Sequence, residues 1–135
     1  MACLNGTWKL VSVDNFEAYL EIIGVSSQNV PRALKLLTPE NNISQEIEVN
    51  GENIRIKTNT PVASPEVKAV IDTEMETRAL DGRETKAVYT IKDDQIIETI
   101  SGPFDAVVVR RLDGDSMIMD MTSGEVTSTR RYEKV

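Results

Sequence analysis

The sequence predicts an all-β protein, a ten-stranded antiparallel up-and-down β-barrel with a two-helix lid between strands one and two. Three observations carry that expectation. From Asn42 onward, short β-branched runs alternate with turn signals, of which Asn50-Gly51, Asp81-Gly82, Asp113-Gly114 and Ser123-Gly124 are the clearest. The stretch before it differs in kind, with one alternating run followed by residues at helical spacing. Ten strands joined by tight turns would leave exposed edges as a flat sheet, and closure into a barrel removes most of that edge.

The elements follow in order. Residues 7–13 (TWKLVSV) form the first strand, with Trp8, Leu10 and Ser12 on one face and Lys9, Val11 and Val13 on the other. Asp14 or Asn15 caps a short helix in which Phe16, Tyr19, Leu20 and Ile23 share a stripe, and Gly24 stops it. Ser26 or Ser27 caps a second helix through Leu37, with Val30, Ala33, Leu34 and Leu37 at helical spacing. Thr38-Pro39 ends it, because the residue before proline avoids the helical region. The remaining strands are expected at 43–49, 53–60, 66–71, 74–79, 84–92, 95–100, 105–112, 115–122 and 126–134.

A chain of 135 residues fits one domain, 1–135. It has no apolar run long enough to span a membrane as a helix. The start, Met1 to Gly6, lacks the basic and apolar segments of a secretory signal, and Cys3 is the only cysteine. A cytoplasmic location is expected. The net charge of −7 argues against nucleic acid as a partner. Histidine is absent, which removes the usual general base, zinc ligand and nucleophile-activating partner together. No catalysis, metal or cofactor is therefore expected. An enzyme reading would need Glu74 or Asp81 as general base, and carboxylates on hairpins are far more often solvated structure.

Two segments suggest a binding site. Near the carboxyl end, Val126, Ser128, Arg130 and Tyr132 share one strand face, while Ala106, Val108, Arg110 and Leu112 share another, with Met117, Met119 and Met121 aligned between them. A guanidinium cannot be discharged by burial, so inside a barrel it needs a partner. A ligand carboxylate can accept two parallel hydrogen bonds from it, and tyrosine adds a neutral donor. Methionines suit the wall around an apolar chain. The doublets Arg110-Arg111 and Arg130-Arg131 leave the facing open on pattern alone, since a one-residue slip exchanges the pair and strand-end arginines are commonly exposed.

The chain resembles the intracellular lipid-binding proteins, the fatty-acid-binding and cellular retinoid-binding family, nearly end to end. Gly6-Thr7-Trp8-Lys9-Leu10-Val11-Ser12, Asn15 to Leu20 and Gly24-Val25 are similar to its first strand and lid. Asn50-Gly51 with Ile54 to Thr58 matches its second hairpin, and Asp81-Gly82-Arg83 with Lys86 resembles the turn after its fifth strand. The closing Thr127 to Glu133 contains an Arg-x-Tyr like the family's carboxylate site.

The resemblance implies a clamshell barrel that holds a hydrophobic carboxylate without chemistry. Carried over by position, Arg110, Arg130 and Tyr132 would contact the carboxylate, with Met75, Met119 and Met121 lining the cavity. Phe16, Tyr19 and Leu20 would face inward from the lid, Val25 and Val62 would lie near the portal, and Asp81 and Arg83 would sit inside as a polar pair. The ligand would be a long-chain fatty acid, or alternatively a retinoid or bile acid. The carrier would be monomeric, with membrane contact through Arg32 and Lys35 of the lid and nuclear entry as further possibilities. A secreted lipocalin is the competing fold-level reading. One stretch departs from the family: Ala69 to Met75 lacks its two aromatics and glycine, and Val62 replaces a portal phenylalanine. The expected consequence is a wide, adaptable pocket.

Overall fold

The computed structural model describes residues 4–79 and 81–135, so the lone thiol of Cys3 lies outside the described residues. Strands β1 (Gly6–Asp14), β2 (Ser44–Asn50), β3 (Asn53–Asn59), β4 (Glu66–Val70) and β5 (Met75–Arg78) are followed by β6 (Glu84–Lys92) and β7 (Gln95–Ser101). Strands β8 (Ala106–Asp113), β9 (Ser116–Ser123) and β10 (Val126–Lys134) complete the sheet. All ten bounds fall within one residue of those the spacing predicts. They form one antiparallel sheet in the order β4-β3-β2-β1-β10-β9-β8-β7-β6-β5, curled into a nearly closed barrel. Strands β1 and β10 close it on one side, while β4 and β5 are not hydrogen-bonded to each other.

Tight turns set the register. Between β6 and β7 the two linking residues Asp93 and Asp94 both take positive φ, 52° and 61°, as a hairpin turn of the mirror-image type demands. Gly114 and Gly124 occupy the corresponding first positions of the last two hairpins with φ of 60° and 57°.

Strand β1 departs from simple alternation. The pairing with β10 jumps between Leu10 and Ser12, so Val11 is a bulged residue. An extra residue reverses the facing of everything after it. Trp8 and Leu10 point inward as expected, but Val13 then packs against the core while Ser12 is exposed.

Helices α1 (Phe16–Ile22) and α2 (Asn29–Leu36) bridge β1 and β2. Asn15 precedes α1 in the left-handed region (φ 57°) and does not cap it with its side chain. Its Nδ2 instead donates to Thr127 O at 3.0 Å, pinning the helix start to β10. The second helix begins later than expected because residues 26–28 form a turn, in which the amides of Asn29 and Val30 both donate to Ser26 O. A short 3₁₀ turn, Pro39–Asn41, follows α2. Among the described residues no helix is long and apolar enough to cross a membrane.

Candidate functional site

The lid and residues from β2 through β10 line a cavity of about 220 Å³ that is partly open to solvent. A larger hollow of about 480 Å³ lies outside it, over the ends of β5, β6 and β7. Its lining of Glu76, Arg78, Glu84, Lys86, hydroxyls and Gly102 offers no apolar wall for a hydrocarbon. The inner cavity is the candidate site.

Sheet register decides which arginines enter it. On β9, Met119 stands opposite Arg110 of β8 on one side and Arg130 of β10 on the other, so the three side chains form one inward row. Arg110 is 5% exposed and Arg130 is 3% exposed. Their neighbours face out: Arg111 pairs with Asp120 at 3.3 Å and Arg131 with Asp113 at 2.9 Å. Tyr132 is buried beside Arg130, whose Nε donates to its hydroxyl at 3.3 Å.

The two buried guanidinium groups have different company. Arg130 Nη2 donates to the Leu37 carbonyl at 3.3 Å, and its carbon lies 4.9 Å from the centre of the Phe16 ring. Among the described residues no carboxylate pairs with it. Arg110 already has one, since its Nη1 donates to Glu98 Oε1 at 3.2 Å and its Nε to Gln45 Oε1 at 3.2 Å. Gln45 in turn donates to Thr58 Oγ1 at 3.3 Å. Burial, reinforced by the Glu98 charge, pushes the Tyr19 phenol up to about 12. The same two causes drive Tyr89 well above the ordinary phenol range. Both hydroxyls line the site as protonated, neutral groups at physiological pH.

The remaining wall is mostly apolar, with Thr58, Thr77 and Arg78 as exceptions. Phe16, Tyr19, Met119 and Met121 line it, together with Ile23, Phe104 and Val108. Leu20 and Val25 are buried but pack behind the wall. Val62 is 76% exposed on the loop between β3 and β4 and does not line the cavity, although Pro65 of the same loop does. That loop is held instead by the Thr60 hydroxyl, which donates to Ala63 O at 2.7 Å. Met75 is half-buried and opposite Ala87, outside the wall, and Ala69 is packed in the core. Ala69 and Met75, which stand where the family has aromatics, do not border the cavity, so the volume they give up lies elsewhere.

Asp81 and Arg83 also lie outside the wall, where they tie the lid down. Asp81 Oδ2 accepts from Arg83 Nε at 2.7 Å, and Arg83 Nη2 donates to Ile23 O at the end of α1, 2.9 Å away. The guanidinium also lies 5.1 Å from the Phe104 ring centre. Burial raises the Asp81 carboxyl, but hydrogen bonds from Arg83 and its charge outweigh that and hold it below the usual carboxylate value.

Sequence reasoning missed Glu98, Gln45 and Tyr89. The first two share a pattern that becomes a signal only once the facing of the strand is known. Each interrupts an inward face between isoleucines two residues away, Ile43 and Ile47 for Gln45, Ile96 and Ile100 for Glu98.

Comparison with known proteins gives a consistent result. Residues 5–135 match the model of the lipocalin / cytosolic fatty-acid binding protein family. Fatty acid-binding protein 12 of Mus musculus is 31% identical over 98% of this chain and 97% of its own length. Sodium/calcium exchanger regulatory protein 1 of Doryteuthis pealeii is 29% identical over 99% and 98% of the two chains. Among solved structures, the REP1-NXSQ fatty acid transporter superposes with a TM-score of 0.90 at 28% identity, covering 100% of this chain and 98% of the other.

Proposed function

Because the chain belongs to the lipocalin / cytosolic fatty-acid binding protein family, we propose that it binds a long-chain fatty acid non-covalently inside the barrel and carries it through the cytosol. The observation that supports this best is Arg130. It is a buried cation in a cavity with a largely apolar lining, hydrogen-bonded to a tyrosine and lacking a carboxylate partner among the described residues. A ligand carboxylate supplies what is missing, and charge-assisted bonds of this kind contribute about 1.5–3 kcal/mol each. Tyr132 adds the neutral donor. Most of the affinity comes from the alkyl chain, at about 0.8 kcal/mol per buried methylene before ordering costs.

Two of the three proteins compared above are named as a fatty acid-binding protein or a fatty acid transporter, and none as a carrier of retinoids or bile acids, which favours a fatty acid. The protein acts as a monomeric carrier without catalysis. The exposed Arg32 and Lys35 on α2 give the lid a basic face for transient contact with anionic membranes. Nuclear entry is a further destination for a carrier this small.

Mass spectrometry of lipids extracted from the purified protein, with oleate titration of the delipidated form, tests the reading. Intact fatty acids and saturable one-to-one binding are expected. Absence of oleate binding, or recovery of chemically altered lipid, would overturn it.

A further inference from the structure

Inside the cavity the protein carries its own carboxylate. Glu98 reaches inward from β7, its side chain only 13% exposed, and occupies Nη1 of Arg110 at 3.2 Å. The amide oxygen of Gln45 takes Nε of the same guanidinium at 3.2 Å. Glu98 is close enough to Tyr19 and Tyr89 to disfavour ionisation of both. The cavity's buried charges thus divide into a neutralised pair at Glu98 and Arg110 and an open cation at Arg130, with Met119 between the two arginines.

We propose that Glu98 is a specificity-determining residue: it holds Arg110 as an internal ion pair, so that the ligand carboxylate is received at Arg130 and Tyr132 alone. A ligand carboxylate that approached Arg110 would have to displace Glu98 or share the guanidinium with it. Two carboxylates at one buried cation repel each other, which disfavours the second. The Glu98 end of the cavity therefore rejects a second anionic group, and the site selects ligands with one carboxylate over dicarboxylic chains of the same length.

This inference rests on the fatty-acid reading, and the experiment separates the two. Dissociation constants of oleate and oleyl alcohol are compared for the wild-type protein, Glu98→Gln, Arg130→Gln and the double variant Glu98→Gln/Arg110→Gln, with folding checked by circular dichroism. Arg110→Gln alone does not discriminate, because it leaves Glu98 as an unpaired negative charge that repels the ligand whichever arginine holds it. Removing both charges does discriminate.

The double variant is expected to keep the wild-type preference for acid over alcohol within about threefold, while Arg130→Gln loses it. Glu98→Gln is expected to strengthen oleate binding about tenfold with little change for the alcohol, since close buried charge pairs couple by more than the 1.4 kcal/mol that tenfold represents. It should also admit a long-chain α,ω-dicarboxylate that the wild type excludes. If the double variant loses the acid preference as completely as Arg130→Gln, Arg110 grips the ligand directly and the proposal is overturned. Should Glu98→Gln fold poorly, the double variant still decides. Failure of wild-type protein to bind oleate at all would instead sink the underlying fatty-acid reading.

Discussion

The guanidinium of Arg130 lies 4.9 Å from the ring centre of Phe16, so one side chain belongs both to the floor of the cavity and to the underside of the lid. The same residue holds the carbonyl of Leu37 beyond the second helix. Ligand anion and lid therefore compete for the same cation.

Loosening that contact should speed exchange. Phe16→Leu removes the cation–π contact, worth about 0.5–2 kcal/mol, while retaining an apolar side chain. Stopped-flow measurements with a fluorescent fatty acid should show faster association and faster release, with the dissociation constant changing less than either rate. A change in affinity with unaltered rates would mean that Phe16 is wall and not latch.

The two buried arginines should behave oppositely in the ligand-free protein. Arg110→Gln leaves Glu98 inside the barrel without its cation, and breaking a buried pair from one side costs about 3–5 kcal/mol. Arg130→Gln strands no charge, and the loss of its contacts with Phe16 and Leu37 is offset by removing a buried cation without a carboxylate partner, so its cost should be smaller, about 1 kcal/mol. Urea denaturation of the delipidated variants distinguishes them, and equal losses would show that Glu98 and Arg110 are not a functional pair.

The lid tie at Asp81 has a defined pH window. Its folded carboxyl is held below the ordinary 3.8, with Arg83 bonding and charge outweighing burial. A depressed folded value means the contribution is fully present above the unfolded value and is lost as pH falls through the folded one. Stability should therefore fall at pH below about 4, and Asp81→Asn should remove that part of the acid dependence while lowering stability near neutrality. Thermal melts across pH 2.5–7, on the order of half-unit steps, provide the measurement. Parallel acid profiles for the two proteins would exclude the tie as their source.

Val62 is exposed on the loop between β3 and β4 and is not part of the cavity lining. Val62→Phe should accordingly leave both oleate affinity and exchange rates within about twofold of wild type, as surface changes away from a site generally do. A large slowing of both rates would place this loop on the ligand's path.

Strand positions were legible because β-branched runs broken by Gly and Asp turns report local geometry, and each hairpin here is local. The pairing of Arg110, Met119 and Arg130 was legible only as one of two facings. Register across β8, β9 and β10 chose between them, and register is a property of three strands together. The bulge at Val11 left no mark because Leu10, Val11 and Ser12 read as ordinary alternation until β10 is laid beside them. Glu98 was hidden for another reason. Its strand places isoleucines on both faces, Ile96 and Ile100 inward and Ile97 opposite, so hydrophobicity alone does not say which way the glutamate points.

Because β4 and β5 are not hydrogen-bonded to each other, the sheet keeps two edges. A sheet that does not close on itself offers two rows of backbone donors and acceptors to any extended chain that meets it, and such edges seed aggregation. Here both edges are short, five residues in β4 and four in β5. Their exposed faces carry Glu66 and Lys68 on one and Glu76 and Arg78 on the other. A neighbouring copy that tried to extend the sheet would have to bury charges of both signs for a handful of hydrogen bonds. The opening is thereby kept from becoming a seam between molecules.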